Sequence, residues 1–506
     1  MTDTSGSQKK ATLDKDLDKI VRFEEAAGHV SRGFARPGFG ILFIAAAALF
    51  AAFYVSDAQN SAFIVIAAML GGYMALNIGA NDVANNVGPA VGSKALSMVG
   101  ALAIAAIFES AGALIAGGDV VSTISKGIID PATVAEADVF IWAMMAALIS
   151  SALWVNLATV LGAPVSTTHS VVGGVMGAGI AAAGMSAVNW PVMGAIAASW
   201  IISPILGGVI GAAFLAFIKI NIIYQDDKIA AARRWVPVLL AVMATAFSAY
   251  LAMKGLKKVV HLHGSVILLI GIGAGILTYL VSRPMIRRQS EGMENRNQSV
   301  RKLFNIPLIC SAALLSFAHG ANDVANAVGP LAAVVHTAAA GEVTAKVTIP
   351  FWVMLIGAAG ISFGLLLFGP KLIRMVGEQI TKLNPMRAYC VALSAAVTVI
   401  IASWLGLPVS STHIAVGAVF GVGFFREWYT SRSQRRRDYM SRKYDKRRGK
   451  EAREPAPARS APPEEARRRM LVRRAHFTTI VAAWIITVPA AAILSAVTFV
   501  LLDATF

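Results

Sequence analysis

A short polar segment with one carboxylate occurs twice in this chain. Residues 79–85 read Gly-Ala-Asn-Asp-Val-Ala-Asn, and residues 320–326 repeat them without a change. Both copies lie inside long apolar stretches, where an ionised side chain at the centre of a bilayer costs about 3 kcal/mol or more. Two such aspartates, Asp82 and Asp323, therefore predict a path for an ion or a substrate through a membrane.

The same segment offers side-chain oxygens at helical spacing, because its two asparagines stand one helical turn apart. Hard oxygen ligands suit a small cation such as sodium, and an aspartate can instead bind and release a proton. A structural hydrogen bond or a helix cap is the alternative, and it explains one isolated aspartate better than an identical pair. The candidate residues of the two copies are Asn81, Asp82, Asn85, Asn322, Asp323 and Asn326.

A second duplicated motif carries hydroxyl groups. Residues 161–169 read Leu-Gly-Ala-Pro-Val-Ser-Thr-Thr-His, and residues 405–413 read Leu-Gly-Leu-Pro-Val-Ser-Ser-Thr-His. Proline followed by hydroxyl side chains is typical of a helix N-terminus, where free backbone N–H groups and the helix dipole favour an anion. Ordinary capping and helix packing is the alternative. The motifs predict a tetrahedral oxyanion site formed by Ser166, Thr167, Thr168, Ser410, Ser411 and Thr412.

Three further titratable residues lie in apolar surroundings. Glu109 is near the middle of an apolar stretch, and Gly357 stands at the corresponding place in the second half, so Glu109 is either a proton or coupling-ion site or a partner in an internal hydrogen bond. His169 and His413 each end a hydroxyl motif and either titrate or donate a hydrogen bond that fixes the site. Without cysteine or carboxylate at metal spacing, they make a poor zinc site.

The composition is that of a multi-pass membrane protein. The chain has 506 residues, of which 56% are hydrophobic and 14% charged, and its mean hydropathy is +0.65. We predict an all-α fold of about 11–13 transmembrane segments. The N-terminal residues 1–37 lack the features of a signal peptide and are expected to stay in the cytoplasm. Cys310 and Cys390 are expected to be packing residues.

Most of the excess positive charge lies in one loop. Residues 426–476 contain 18 Lys or Arg and 7 Asp or Glu, which is +11 of the total +17. A loop of this kind is typical of a disordered cytoplasmic segment that sets topology and touches anionic lipid. A regulatory or partner site is the alternative. Nucleic acid is not an expected partner. Apart from Lys254 and its neighbours, the basic loops fall on the same side of the membrane.

The motifs divide the chain into two halves. The first motif recurs at an offset of 241 residues and the second at 244, and seven predicted crossings separate the starts of the two halves if segments 164–185 and 408–425 both span the membrane. An odd number inverts the second copy, so we predict two inverted repeats with interrupted helices. Whether segments 164–185 and 408–425 span or re-enter stays open. The predicted units are an N-terminal extension (1–37), an extra segment (38–61), half 1 (62–218), a connection (219–303), half 2 (304–425), the basic loop (426–475) and a final helix (476–506).

On these duplicated motifs the chain resembles the inorganic phosphate transporter (PiT) family over most of residues 62–502. The resemblance implies secondary active transport of inorganic phosphate, or of a metal-phosphate complex, coupled to sodium or protons, and it implies an all-helical inverted-repeat fold that is often dimeric. It also implies that the asparagines and aspartates of the first motif coordinate cation and phosphate, and that the hydroxyls of the second motif contact phosphate. No other cofactor is expected.

The function predicted from the sequence is therefore a phosphate symporter of the cell (inner) membrane that works by alternating access. A sulfate or other oxyanion permease of the same fold is an alternative, because the same helix termini suit any tetrahedral anion. An intramembrane aspartyl protease would also use two membrane aspartates, but it needs no repeated hydroxyl motif.

Overall fold

The computed structural model describes the two halves of the chain and the connection between them. The described residues are 35–55, 60–130, 133–134, 136–161, 165–255, 263–343, 347, 349–375, 383–434, 436–439, 441–442 and 474–505. Within them the chain is helical, with one isolated β-bridge and no strand. The predicted N-terminal extension up to residue 34, most of the basic loop and Pro164 lie outside the described residues.

The first half and the connection contain ten helices among the described residues. They are α1 (Ala35–Tyr54), α2 (Ser61–Asn81), α3 (Val83–Gly92), α4 (Met98–Ala116), α5 (Gly118–Lys126), α6 (Ala137–Leu161), α7 (Thr167–Ala183), α8 (Trp190–Ile218), α9 (Lys228–Lys254) and α10 (Gly264–Gln289).

Further helices follow among the described residues, at the end of the connection and in the second half. They are α11 (Asn297–Leu303), α12 (Asn305–Asp323), α13 (Ala325–Ala340), α14 (Phe351–Met375), α15 (Pro385–Trp404), α16 (Ser411–Arg432) and α17 (Arg474–Thr505). Across the described residues, 11 helices are long and apolar enough to cross a membrane. The chain is thus an all-α, multi-pass membrane protein, as its composition predicts.

Both copies of the first motif lie where a long helix is broken. The first copy joins α2 to α3 at Asp82, and the second joins α12 to α13 at Val324. Both joints keep helical dihedral angles, −84° and −34° at Asp82 and −55° and −30° at Val324, so the predicted interruption is a kink and not an unwound segment. Prolines inside α3 and α13 lack an N–H, which leaves the carbonyls of Asn85 and Asn326 without their helical partners.

Helices pack across the two halves in a reciprocal way. Helix α14 of the second half packs on α2 of the first, and α4 of the first packs on α12 of the second. Helices α17 and α7 form a similar pair, as do α8 and α16. This reciprocity agrees with a duplicated scaffold; the inverted relation between the halves stays a prediction.

The packed pairs approach each other at glycine. A Cβ on Gly79 would lie 1.9 Å from the carbonyl oxygen of Ile361, and a Cβ on Gly320 would lie 2.1 Å from that of Glu109. Side chains are therefore excluded at these two crossings, and backbone touches backbone. The glycines of the first motif thus hold the kinked helices against α14 and α4.

Lys254, which is predicted to lie on the opposite side of the membrane from the basic loops, has an acidic partner. Lys254, at the end of α9, forms an ion pair with Asp119 at the start of α5. Thr123 of α5 also donates a hydrogen bond to the carbonyl of Gly406, 2.7 Å away, where the chain turns with φ of +68° between α15 and α16. Helix α5 is thus tied both to the connecting helices and to the second hydroxyl motif.

Candidate functional site

The two duplicated aspartates meet in the centre of the fold. Asp82 and Asp323 are each 1% exposed, and one oxygen of each lies within 4.8 Å of the other and of a ring nitrogen of His319. The kinks of the α2–α3 and α12–α13 helices carry them there. The predicted convergence of the two copies on one place is therefore seen in the structure.

Asp82 receives hydroxyl groups from both halves. Thr167 Oγ1 donates to Asp82 Oδ2 at 2.5 Å, and Thr412 Oγ1 donates to Asp82 Oδ1 at 3.1 Å. Asn85 Nδ2 in turn donates to the Thr412 hydroxyl at 2.9 Å. The first motif of one half is thereby joined to the second motif of each half.

Asp323 has a similar environment with fewer hydrogen bonds to its carboxylate. The hydroxyl of Ser411 donates to its Oδ2 at 3.4 Å, and Asn326 Nδ2 donates to the hydroxyls of Thr167 at 3.2 Å and Thr168 at 3.1 Å. Asp323 Oδ1 and Asn326 Oδ1 are buried and have no hydrogen-bond partner among the described residues. Unpaired buried oxygens are costly, and a cation would satisfy them.

Two helix N-termini point into this cluster. Helix α7 begins at Thr167 and α16 at Ser411, and the preceding serines are their caps: Ser166 Oγ accepts from His169 N at 3.1 Å and Ser410 Oγ accepts from His413 N at 3.3 Å. The prediction that each hydroxyl motif starts a helix is confirmed, with α16 beginning three residues after Pro408. The other first-turn N–H groups have no partner inside their helices, so they are available to an anion.

Asn81 and Asn322 are hydrogen-bonded to residues outside the aspartate cluster. Asn81 Nδ2 donates to Thr159 Oγ1 on α6 at 2.8 Å. Asn322 Nδ2 donates to Ser403 Oγ at 3.0 Å, and its Oδ1 accepts from Val409 N at 3.2 Å. Both side chains fasten the first motif to the helix and loop that lead into the second motif. These contacts hold the first motif in place, and the predicted contact of both residues with phosphate stays a prediction. Asn81 Oδ1 is buried and has no hydrogen-bond partner among the described residues.

Glu109 reaches the cluster through a histidine that the sequence analysis missed. Asn86 Nδ2 donates to Glu109 Oε1 at 2.7 Å, and Glu109 Oε2 lies 2.6 Å from His319 Nδ1. The other ring nitrogen of His319 lies 2.9 Å from Asp323 Oδ2, and Glu109 and His319 are both fully buried. One sequence feature could have indicated it: His319 stands four residues before Asp323, where the first half has Ile78 before Asp82.

The two motif histidines meet each other. The rings of His169 and His413 form an edge-on contact with centroids 4.4 Å apart, and each also packs on a tryptophan, Trp200 at 3.9 Å and Trp484 at 3.7 Å. The ring nitrogens of His413 have no hydrogen-bond partner among the described residues. The rings therefore join the starts of α7 and α16 by packing, so the predicted hydrogen bond that fixes the site is not seen for His413.

Comparison with known proteins identifies the family of this chain. The sequence pattern of the "Phosphate transporter family" matches residues 78–495. The chain belongs to the phosphate transporter family. A "Putative phosphate permease" of Helicobacter pylori strain J99 is 46% identical over 525 aligned positions, covering 96% of this chain and 98% of the relative. Another of that description, from Pyrococcus furiosus, is 40% identical and covers 72% of this chain and 87% of the relative.

A solved structure has the same architecture. It is described as "The sodium-dependent phosphate transporter", and it is 34% identical in sequence with a TM-score of 0.74, covering 88% of this chain and 100% of the other. Members of the phosphate transporter family are permeases, so this chain is a transporter and not an enzyme, and the aspartyl protease alternative is set aside. The family also favours phosphate over sulfate.

The buried contact between Glu109 and His319 is expected to stabilise this phosphate transporter. We expect Glu109→Gln and His319→Gln each to lower the melting temperature of the purified protein, since each leaves a buried partner unsatisfied, and the double variant to lose less than the sum. Groups that share one buried contact typically couple by about 0.5–3 kcal/mol. Thermal unfolding of the wild type, the two single variants and the double variant in detergent measures this coupling. Strictly additive losses would show that the two residues act separately.

Proposed function

We propose that this chain carries inorganic phosphate across the membrane together with sodium. The observation that carries the proposal is the meeting of both aspartates, both hydroxyl motifs and two helix N-termini in one buried cluster. Membership of the phosphate transporter family and the likeness to the sodium-dependent phosphate transporter support the substrate and the ion.

Sodium is assigned to the oxygens around Asp82 and Asp323. The side chains of Asn85 and Asn326 and their proline-freed carbonyls supply further oxygen atoms, which are the ligands that a hard monovalent cation prefers. The unpaired Asp323 Oδ1 and Asn326 Oδ1 favour this position. Glu109 influences the sodium position through His319, which contacts Asp323. A proton is the alternative coupling ion.

Phosphate is assigned to the two helix N-termini. The first-turn amides of α7 and α16 that the serine caps do not occupy offer donors without an arginine in the membrane. The hydroxyls of Thr167, Thr168, Ser411 and Thr412 donate to Asp82, Asp323 and the Val409 carbonyl in this structure, so they bind phosphate by rotating away from these acceptors. These donors are held in place by two helix caps, Ser166 and Ser410. The hydrogen bonds of Asn81 and Asn322 to neighbouring helices also stabilise their position.

A bound cation reduces the electrostatic repulsion between phosphate and the two aspartates. Phosphate and two aspartates bring negative charges together away from water, where unit charges 4 Å apart repel by about 4 kcal/mol at an effective dielectric constant of 20. Bound sodium offsets that repulsion, so cation and phosphate bind cooperatively. Reciprocal packing of the two halves around the cluster supports alternating access, in which the halves rock about a central site.

Reconstituted proteoliposomes test the proposal. Radiolabelled phosphate uptake is measured with an inward sodium gradient, with an inward proton gradient and with neither. We expect the sodium gradient to raise the initial rate at least several-fold and an excess of sulfate to reduce it little. Uptake that no gradient stimulates would reject symport, and stimulation by protons alone would reject sodium as the coupling ion.

The basic loop is not needed for this chemistry. Deleting residues 432–466 is expected to leave the uptake rate per inserted molecule within about twofold, because the loop adds charge outside the membrane, where salt screens it. The same proteoliposome assay measures it. Loss of most of the activity, with the deletion variant inserted and monodisperse, would give the loop a part in transport.

A further inference from the structure

A second cavity lies beside the extra N-terminal helix. Helices α1, α2, α6 and α14 enclose about 490 Å³. The family match begins at residue 78, so α1 lies outside it. Neither aspartate of the cluster lines the cavity, although Ala80 of the first motif does. Its volume is in the range of pockets that hold small ligands.

The wall of the cavity is mainly hydrocarbon. Its apolar side chains come from all four helices: Ile41, Ile44, Leu76, Val160, Phe368 and Leu372. Hydrated inorganic phosphate gains nothing from such a wall, whereas an acyl chain gains roughly 0.8 kcal/mol for each methylene group it buries. The lining therefore favours a lipid chain over a small polar solute.

The exposed end of the cavity is positively charged. Arg36, in the first turn of α1, and Lys371, near the end of α14, both line it and are both exposed. Neither forms an ion pair with a carboxylate among the described residues. Basic side chains at the mouth of a pocket between membrane helices match an anionic headgroup.

We propose that this cavity binds one anionic phospholipid, with the headgroup phosphate on Arg36 and Lys371 and one acyl chain along the apolar wall. The inner end of the cavity is lined by residues whose hydrogen bonds hold the first motif in place. Thr159 lines it and accepts the hydrogen bond of Asn81, and Asn77 lines it and accepts one from Asn156 at 3.2 Å. A lipid in this cavity would thus contact Thr159, which is hydrogen-bonded to Asn81 of the first motif.

Native mass spectrometry of the full-length, delipidated protein tests this proposal, with dioleoyl phosphatidylglycerol and dioleoyl phosphatidylcholine as probes. We expect one phosphatidylglycerol to bind about tenfold or more tightly than phosphatidylcholine, since each basic residue near a headgroup contributes on the order of a fivefold preference. Replacing Arg36→Gln and Lys371→Gln together should abolish the preference. The matched control, Arg287→Gln with Arg288→Gln, removes two exposed charges from α10 outside the cavity and should keep it.

A filling variant separates the acyl chain from the headgroup. A Cβ on Gly40 would stand 3.9 Å from Leu76 and Phe368, so Gly40→Leu fits the helix and places its remaining carbons in the cavity. We expect it to weaken phosphatidylglycerol binding at least several-fold with both charges present. Unchanged binding in Gly40→Leu or in the Arg36–Lys371 double variant would overturn the proposal. Displacement of the lipid by millimolar inorganic phosphate would overturn it in favour of a free-phosphate site.

Discussion

Asp82→Asn and Asp323→Asn are each expected to lower phosphate uptake by at least about a hundredfold while leaving the protein inserted and folded. Asparagine keeps the shape of the side chain but removes one negative charge beside the cation. A charge 4 Å away contributes about 4 kcal/mol at an effective dielectric constant of 20, which is close to a thousandfold in affinity. Initial uptake rates in proteoliposomes, normalised to inserted protein, measure the effect.

Asp438→Asn is the matched control for the aspartate variants. Asp438 is exposed and accepts a hydrogen bond from Gln434 on the surface, far from any buried carboxylate contact, so its replacement should leave uptake unchanged. Thermal unfolding of all three variants shows whether they are folded. Normal transport by Asp82→Asn or Asp323→Asn would refute the site assignment even though the family is established.

Gly79→Ala and Gly320→Ala are expected to cause the largest losses of stability. Each added methyl would stand about 2 Å from a backbone carbonyl oxygen of the facing helix, 1.9 Å in one case and 2.1 Å in the other. A backbone cannot rotate away as a side chain does, so the helices must separate. Overpacking of this kind costs roughly 3 kcal/mol or more, and we expect the melting temperature in detergent to fall by several degrees.

Gly194→Ala provides the comparison for the glycine variants. Gly194 also lies in a membrane helix, α8, but nothing stands within 4 Å of the position of its Cβ. Because alanine is the better helix former, this variant should be as stable as the wild type or up to about 1 kcal/mol more so. Equal melting temperatures for Gly194→Ala and Gly320→Ala would show that the close helix crossing does not limit stability.

The sequence predicted the features that rest on repetition and on the cost of burying polar groups. Asp82 and Asp323 were expected to share one site because an isolated carboxylate in an apolar stretch is expensive, and the structure brings them together. The helix starts at the hydroxyl motifs were predictable from proline followed by hydroxyl side chains, and Ser166 and Ser410, which were expected at the oxyanion, cap these helices.

Contacts between distant segments were beyond the reach of the sequence. His319 bridges Glu109 and Asp323 only because α4 crosses α12 closely at Gly320, and no periodicity shows which helices cross. The expected contact of Asn81 and Asn322 with the substrate stays a prediction, and their hydrogen-bond partners on α6 and around α15 are ones that local spacing does not reveal. The cavity beside α1 likewise depends on four helices meeting.

Equilibrium binding of radiolabelled phosphate to the purified protein, at fixed pH and constant ionic strength with choline replacing sodium, tests the central claim most directly. Coupling between two ligands of one site typically amounts to about 5- to 150-fold in affinity. We predict that the dissociation constant for phosphate falls at least tenfold as sodium rises, and that Asp323→Asn removes this dependence. Phosphate binding of equal strength with and without sodium, unchanged in Asp323→Asn, would contradict a shared site for cation and anion.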